Sequence, residues 1–374
     1  MSVTRFPSRF SDLLRVAWFP AICIATVAAF LLKGRTLFAE LHDPIGFALI
    51  FAWLFAVVLG ACLHVVRHAD GLGEIMGEPY GTLVLTLAVT AVEVVSISAV
   101  MLEGARNHPT LVRDTLFSVV MVILGGMAGV SLLVGGWRYR EQTHNLQGAN
   151  AYLGVIIPLA VMVLTLPNFT VTTAGPTLSG PQQLFDTLIC AGLYATFLAI
   201  QTGRHRDYFA AAGHGQHGGA GTERSPWMSH TALLLAYMIA IAFLAEDLAH
   251  PIDYMIETLR MPDALGGVVI AVIVATPESV AALRAALANQ LQLAVNIFLG
   301  SVLCTIGLTV PVMLAISQFT GHTIYVGLSG ANDVLLLLTL IVSVVTFSSG
   351  RTNILQGAVH VVLFGAFLLL IFQG

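Results

Sequence analysis

The stretch Val274-Ala275-Thr276-Pro277-Glu278-Ser279 lies inside an apolar run from 264 to 288, and Val89-Thr90-Ala91-Val92-Glu93 lies inside another from 80 to 102. A run of about twenty apolar residues is long enough to cross a bilayer as a helix. Each run therefore carries one glutamate to bilayer depth. Ionisable groups there are costly and mark ion or proton pathways. Counted at about 1.5 Å per residue, Glu93 lies about 20 Å along its helix from Tyr80, and Glu278 about 21 Å along from Ala264. Two such helices entering from opposite faces bring both acids near the centre of the membrane.

The composition agrees with this reading. Hydrophobic residues make up 57% and charged residues 10% of 374 residues, and the mean hydropathy is +0.88. This excludes an ordinary soluble domain and indicates an all-α polytopic membrane protein whose main partner is the lipid bilayer. A formal charge of -4 without basic clustering excludes a nucleic-acid footprint. Cys23, Cys62, Cys190 and Cys304 each fall in an apolar run, which speaks against disulfides and paired-cysteine zinc sites. The stretch from Leu13 to Leu32 reads as a retained helix and not as a cleaved signal.

Eleven spans are predicted, roughly at 13–33, 45–66, 80–102, 115–136, 151–167, 184–202, 230–248, 264–288, 291–317, 331–348 and 353–372. One long hydrophilic connection, 203–229, contains His205, His214 and His217 in a Gly-rich context and reads as a solvated linker. The chain thus divides into a tail and extra helix (1–40), a first five-helix repeat (41–202), the linker (203–229) and a second five-helix repeat (230–374). Five spans is an odd number, so the second repeat enters from the opposite side, as in inverted-repeat transporters whose ligand site lies at the midplane. With the N-terminus inside, eleven of the sixteen Arg and Lys residues fall on the inner side. The positive-inside rule then makes the N-terminus and the linker cytoplasmic and the C-terminus external.

Desolvation favours the protonated form of a carboxylate and a bound cation favours the charged form, so cation and protons compete for the same oxygens. Hard cations take oxygen ligands. Thr86, Thr90 and Ser96 stand near Glu93, and Thr276 and Ser279 flank Glu278. Ser301, Asn296 and Thr305 in the ninth span are further candidates for supporting positions, and Glu78 for a rim charge or helix cap. Hydroxyls in apolar helices also commonly bond back to their own helix carbonyls. Pro277 lacks a backbone donor and frees a carbonyl one turn earlier. With neither Cys nor His near the two acids in sequence, zinc, copper and iron are disfavoured, and Arg284 is expected to snorkel to the interface. Gly129-Val130-Ser131-Leu132 and Gly307-Leu308-Thr309-Val310 show a weak internal likeness.

Several longer stretches carry a resemblance. They are Gly77 to Glu93, Asn107-His108-Pro109-Thr110-Leu111-Val112-Arg113-Asp114-Thr115, Asn145 to Tyr152, Leu166-Pro167-Asn168-Phe169-Thr170, and Pro277 to Pro311. In these the chain resembles the ChaA-type bacterial antiporters of the cation/calcium exchanger superfamily. The resemblance implies an eleven-helix exchanger with two repeats, with Glu93 and Glu278 at the family's paired ion-binding acids. It also implies export of Ca²⁺, or in some relatives Na⁺ or K⁺, against protons across a bacterial inner membrane, with no cofactor. Two departures stand out: Gly125-Gly126 replaces an Asn that relatives tend to carry in the fourth span, and Gly-Asn-Ala-x-Glu is replaced around both acids.

Other readings are a Na⁺ or K⁺/H⁺ antiporter of the same fold, a passive cation channel and an intramembrane protease. The protease reading is the weakest, because neither acid is Asp and no His-Glu-x-x-His is present.

Overall fold

The computed structural model describes residues 9–76, 80–103, 109–173, 175–209, 227–328 and 330–373. Eleven helical segments within them are long and apolar enough to cross a membrane: Trp18–His42, Pro44–Met76, Val84–Leu102, Leu111–Tyr139, Leu146–Phe169, Gly180–Arg204, Trp227–Thr258, Ala264–Leu287, Leu291–Thr320, Gly330–Phe347 and Ile354–Gln373. They are called the first to eleventh spans below. The expected set of spans is present, and the differences lie at the ends. The second span runs ten residues beyond the expected 66, because Arg67, His68, Asp70 and Glu74 continue the helix past its apolar stretch. Hydrophobic runs report the hydrocarbon core, and a helix does not stop there.

Local signals start and stop the spans. Asn145 accepts hydrogen bonds from the backbone N–H groups of Gln147 and Gly148, at 2.9 and 3.2 Å, and caps the fifth span. Ser179 and Gln182 form a capping box at the sixth. Gly321, at φ 74, closes the ninth in the left-handed conformation.

The fourth and ninth spans are the most enclosed, whereas the first and sixth sit at the periphery. The second packs against the third, seventh and eighth, the fourth against the eighth and eleventh, and the ninth against the fifth, sixth and eighth. One continuous apolar core runs through these helices.

Polar ties close the loops at both ends. At one end, Arg113 donates to Asp114 at 2.8 Å and to the Gly327 carbonyl at 3.1 Å, while the Asn168 amide donates to Asp333 at 2.6 Å. At the other, Glu141–Thr143 pairs antiparallel with Arg351–Asn353. There Gln142 donates to the Ala286 carbonyl at 2.9 Å and Asn145 N–H to Gln292 at 2.6 Å. Buried polar groups need such partners, which gives Arg113, Asp114, Asn145 and Asn168 a structural role.

Candidate functional site

Glu93 sits in the third span and is fully buried. Its Oε2 accepts hydrogen bonds from Thr309 Oγ1 at 2.7 Å and Thr305 Oγ1 at 3.1 Å, while Oε1 has no partner. Both threonines belong to the ninth span, so this contact crosses between the two halves. They lie in a wide π-helical turn, Thr305–Thr309. Such single π turns inside α-helices recur at functional sites, and here the turn presents two hydroxyls to one carboxylate oxygen.

Glu278 sits in the eighth span and is half-buried; Ser301 Oγ of the ninth span donates to its Oε2. The two carboxylates are within electrostatic reach of one another. All the side-chain hydrogen bonds given to the two acids among the described residues therefore come from the ninth span.

The other sequence candidates fall in different places. Thr276 Oγ1 donates to the Val272 carbonyl at 2.5 Å, Ser279 Oγ to Ala275 at 2.7 Å and Thr90 Oγ1 to Thr86 at 2.9 Å. These protons are committed to the helices that carry them, but each hydroxyl keeps lone pairs for a cation. Asn296 is drawn away from the acids: its Nδ2 donates to the Phe209 carbonyl at 2.7 Å and its Oδ1 accepts from Gln292 at 2.9 Å. Glu78 lies outside the described residues. Ser96 Oγ, one turn beyond Glu93, is buried without a partner. Arg284 is exposed, as expected of a snorkelling side chain.

Three residues that sequence reasoning missed complete the cluster. Thr309 was visible only as half of an internal likeness. Cys304 Sγ stands 2.8 Å from Thr90 Oγ1, and Tyr194 of the sixth span is close enough to influence both Thr86 and Cys304. Cys304 is also within electrostatic reach of both glutamates. Cys304 is far from either acid in sequence, and only helix packing brings its thiol beside Thr90. No group of three or more His, Cys, Asp and Glu suited to a metal ion occurs among the described residues.

The fourth span has its own π turn, Met121–Met127, which begins 28 residues after Glu93; that of the ninth begins 27 after Glu278. This register sets Thr309 opposite the Gly125-Gly126 region and not opposite Ser131, so the short likeness around Gly129 and Gly307 is out of phase with the repeat. The glycines do not open a gap toward the acids. A Cβ at Gly125 would stand 3.0 Å from Phe364 Cβ, and one at Gly126 3.6 Å from the Phe364 ring. Both face the eleventh span.

Two glutamates, one from each half, meet at a helix with a widened turn inside a membrane protein of eleven candidate spans. The sodium/calcium exchanger protein family matches residues 46–203 and 229–373, and the chain belongs to that family. Among its relatives, y4hA of Sinorhizobium fredii is 41% identical over 84% of this chain and 86% of its own. The sodium-potassium/proton antiporter ChaA of Escherichia coli is 39% identical over 84% and 86%. The solved structure of native YfkE superposes with a TM-score of 0.73 at 20% identity, covering 95% of this chain and all of its own. That of the H⁺/Ca²⁺ exchanger CAX gives 0.70 at 13% identity over 96% and 88%. These likenesses show the fold, with its inverted halves.

Proposed function

We propose that the protein is a secondary antiporter that exchanges Ca²⁺ for H⁺, with Glu93 and Glu278 as the groups both ions share. The observation that carries this reading is the pair itself: one buried or half-buried acid per half, each bonded by hydroxyls of the ninth span. Two carboxylates hold two protons or one divalent ion, so both loaded forms carry the same charge. An empty pair would leave two uncompensated anions at bilayer depth, which disfavours crossing unloaded. Ser301, Thr305 and Thr309 hold the carboxylates, while Thr90, Thr276 and Ser279 offer oxygen lone pairs to the dehydrated cation. Thr86 stands behind Thr90, whose hydroxyl its backbone carbonyl accepts at 2.9 Å.

A second reading keeps the mechanism and moves Na⁺ or K⁺ in place of Ca²⁺. It is favoured by the name of the 39% identical Escherichia coli relative and by a neutral ligand set made mostly of hydroxyls. Placement in a bacterial inner membrane rests on the bacterial relatives, and an orientation with the N-terminus and the 203–229 linker cytoplasmic rests on the distribution of Arg and Lys. The two halves, 41–202 and 230–374, would rock about the shared site.

The test is dissipation of a pH gradient in proteoliposomes on addition of Ca²⁺, Na⁺ or K⁺. Calcium is expected to collapse the gradient. Collapse by Na⁺ or K⁺ alone selects the second reading, and collapse by none defeats both.

A further inference from the structure

At the end of the bundle that carries the 203–229 linker, His68 of the second span faces His230 of the seventh. Their Nδ1 atoms are 3.2 Å apart, and the ring planes meet at 66°. These spans are the first helices of the two halves and pack closely along their length. The approach depends on Gly71, one turn from His68: a Cβ there would stand 2.6 Å from His230 Cε1 and 2.7 Å from its Nδ1. Any other residue would displace the imidazole.

Two nitrogens each bound to a tetrahedral zinc ion at 2.0–2.1 Å stand about 3.3 Å apart. In this structure the two nitrogens share an N–H···N hydrogen bond at 3.2 Å, and the same separation suits a metal ion that replaces the shared proton. Both histidines are half-buried, so water reaches them, and their neighbours are His64, the exposed Arg67 and the Tyr237 ring. Imidazole pairs favour d-block ions over hard Ca²⁺ or Na⁺, which separates this position from the glutamate pair. His64 Nδ1 is engaged with the Gly60 carbonyl at 2.8 Å, and no group of three His, Cys, Asp or Glu suited to a metal occurs among the described residues, so water would complete the coordination.

We propose that His68 and His230 form a two-histidine site for a divalent d-block cation such as Zn²⁺ or Cu²⁺, which bridges the first helices of the two halves. A bridged pair holds the second and seventh spans together at the linker end. Binding itself does not depend on the antiport reading; its effect on turnover does.

The experiment uses tag-free, full-length protein in detergent, titrated with Cu²⁺ and followed by electron paramagnetic resonance. The expected spectrum is one site with superhyperfine splitting from two imidazole nitrogens, suppressed by Zn²⁺. His68→Gln and His230→Gln should each weaken binding by more than about tenfold, the loss that even outer-sphere partners of metal-ligating histidines can cause. A variant with His205, His214 and His217 all changed to Gln should retain the signal. A wild-type spectrum without two nitrogens overturns the proposal, whatever the variants do. So does a signal that survives both single changes, or one lost in the linker variant. In proteoliposomes, Zn²⁺ on the linker side should slow exchange reversibly in wild type and not in His68→Gln. Copper binding without any exchange would defeat the antiport reading alone.

Discussion

The fourth and ninth spans share one backbone device and use it for different ends. Each is the most enclosed helix of its half, and each widens into a π turn at nearly the same distance from its half's glutamate. In the ninth span the turn carries Thr305 and Thr309 and delivers two hydroxyls to Glu93. In the fourth it carries Gly125 and Gly126 and accepts Phe364 against its backbone. Equivalent geometry thus holds a carboxylate in one half and packs a helix in the other. The repeat constrains the backbone more tightly than the side chains, and the hydroxyls bonded to the two acids come from one half alone.

The largest expected effect is at those acids. Glu93→Gln and Glu278→Gln should each abolish exchange in a folded, inserted protein, because Gln keeps the volume but cannot cycle between proton and cation. Asp at either position should retain partial activity at best. Normal collapse of the pH gradient by either Gln variant at saturating cation would remove that residue from the mechanism.

Next come the hydroxyls that distinguish the two spans. A hydrogen bond to a charged group contributes about 1.5–3 kcal/mol, so Thr309→Val should weaken apparent cation affinity by about 10- to 100-fold. Thr305→Val, with the longer contact, should cost less. Ser131→Ala in the fourth span should change nothing, since Ser131 Oγ has no hydrogen-bond partner. Equal losses at Ser131 and Thr309, measured as the cation concentration for half-maximal exchange, would show that the fourth span contributes to the site as the ninth does.

Competition at shared carboxylates also fixes a sign for pH. Protonation removes the charged form that binds the cation, so apparent affinity should rise with pH. The dependence should have a slope above one if both acids exchange protons. Direct binding that stays flat between about pH 6 and 9 would assign proton and cation to separate sites.

What the sequence made legible follows from which physics acts locally. Glu93 and Glu278 stand out because a charge in an apolar run has no other ready explanation. The number of spans follows from hydropathy alone. The hydroxyl partners do not, since Thr305 and Thr309 are indistinguishable in sequence from threonines that bond back to their own helix, as Thr276 does. The π turns leave no pattern in residue type. Cys304 and Tyr194 reach the site through packing between the ninth, third and sixth spans, and Asn296 leaves it because the Phe209 carbonyl at the linker's start claims its amide.

The smallest effect tests the packing half of the comparison. A Cβ at Gly125 would stand 3.0 Å from Phe364 Cβ and 3.3 Å from its N and Cα, backbone-fixed atoms that cannot rotate aside. Overpacking of this kind costs about 1–3 kcal/mol, offset by about 1 kcal/mol of helix propensity when Ala replaces Gly. At Gly126 the nearest atoms belong to the Phe364 ring at 3.6 Å, an ordinary contact. Gly125→Ala should therefore lower the thermal midpoint in detergent, and Gly126→Ala should leave it unchanged or raise it. Phe364→Ala should not rescue Gly125→Ala, because the obstructing Cβ and backbone remain. Neither glycine variant should alter the Ca²⁺ to Na⁺ preference of exchange. A well-folded Gly125→Asn variant with a shifted preference would show instead that this turn faces the ions and that the fourth span can be made to ligate as the ninth does.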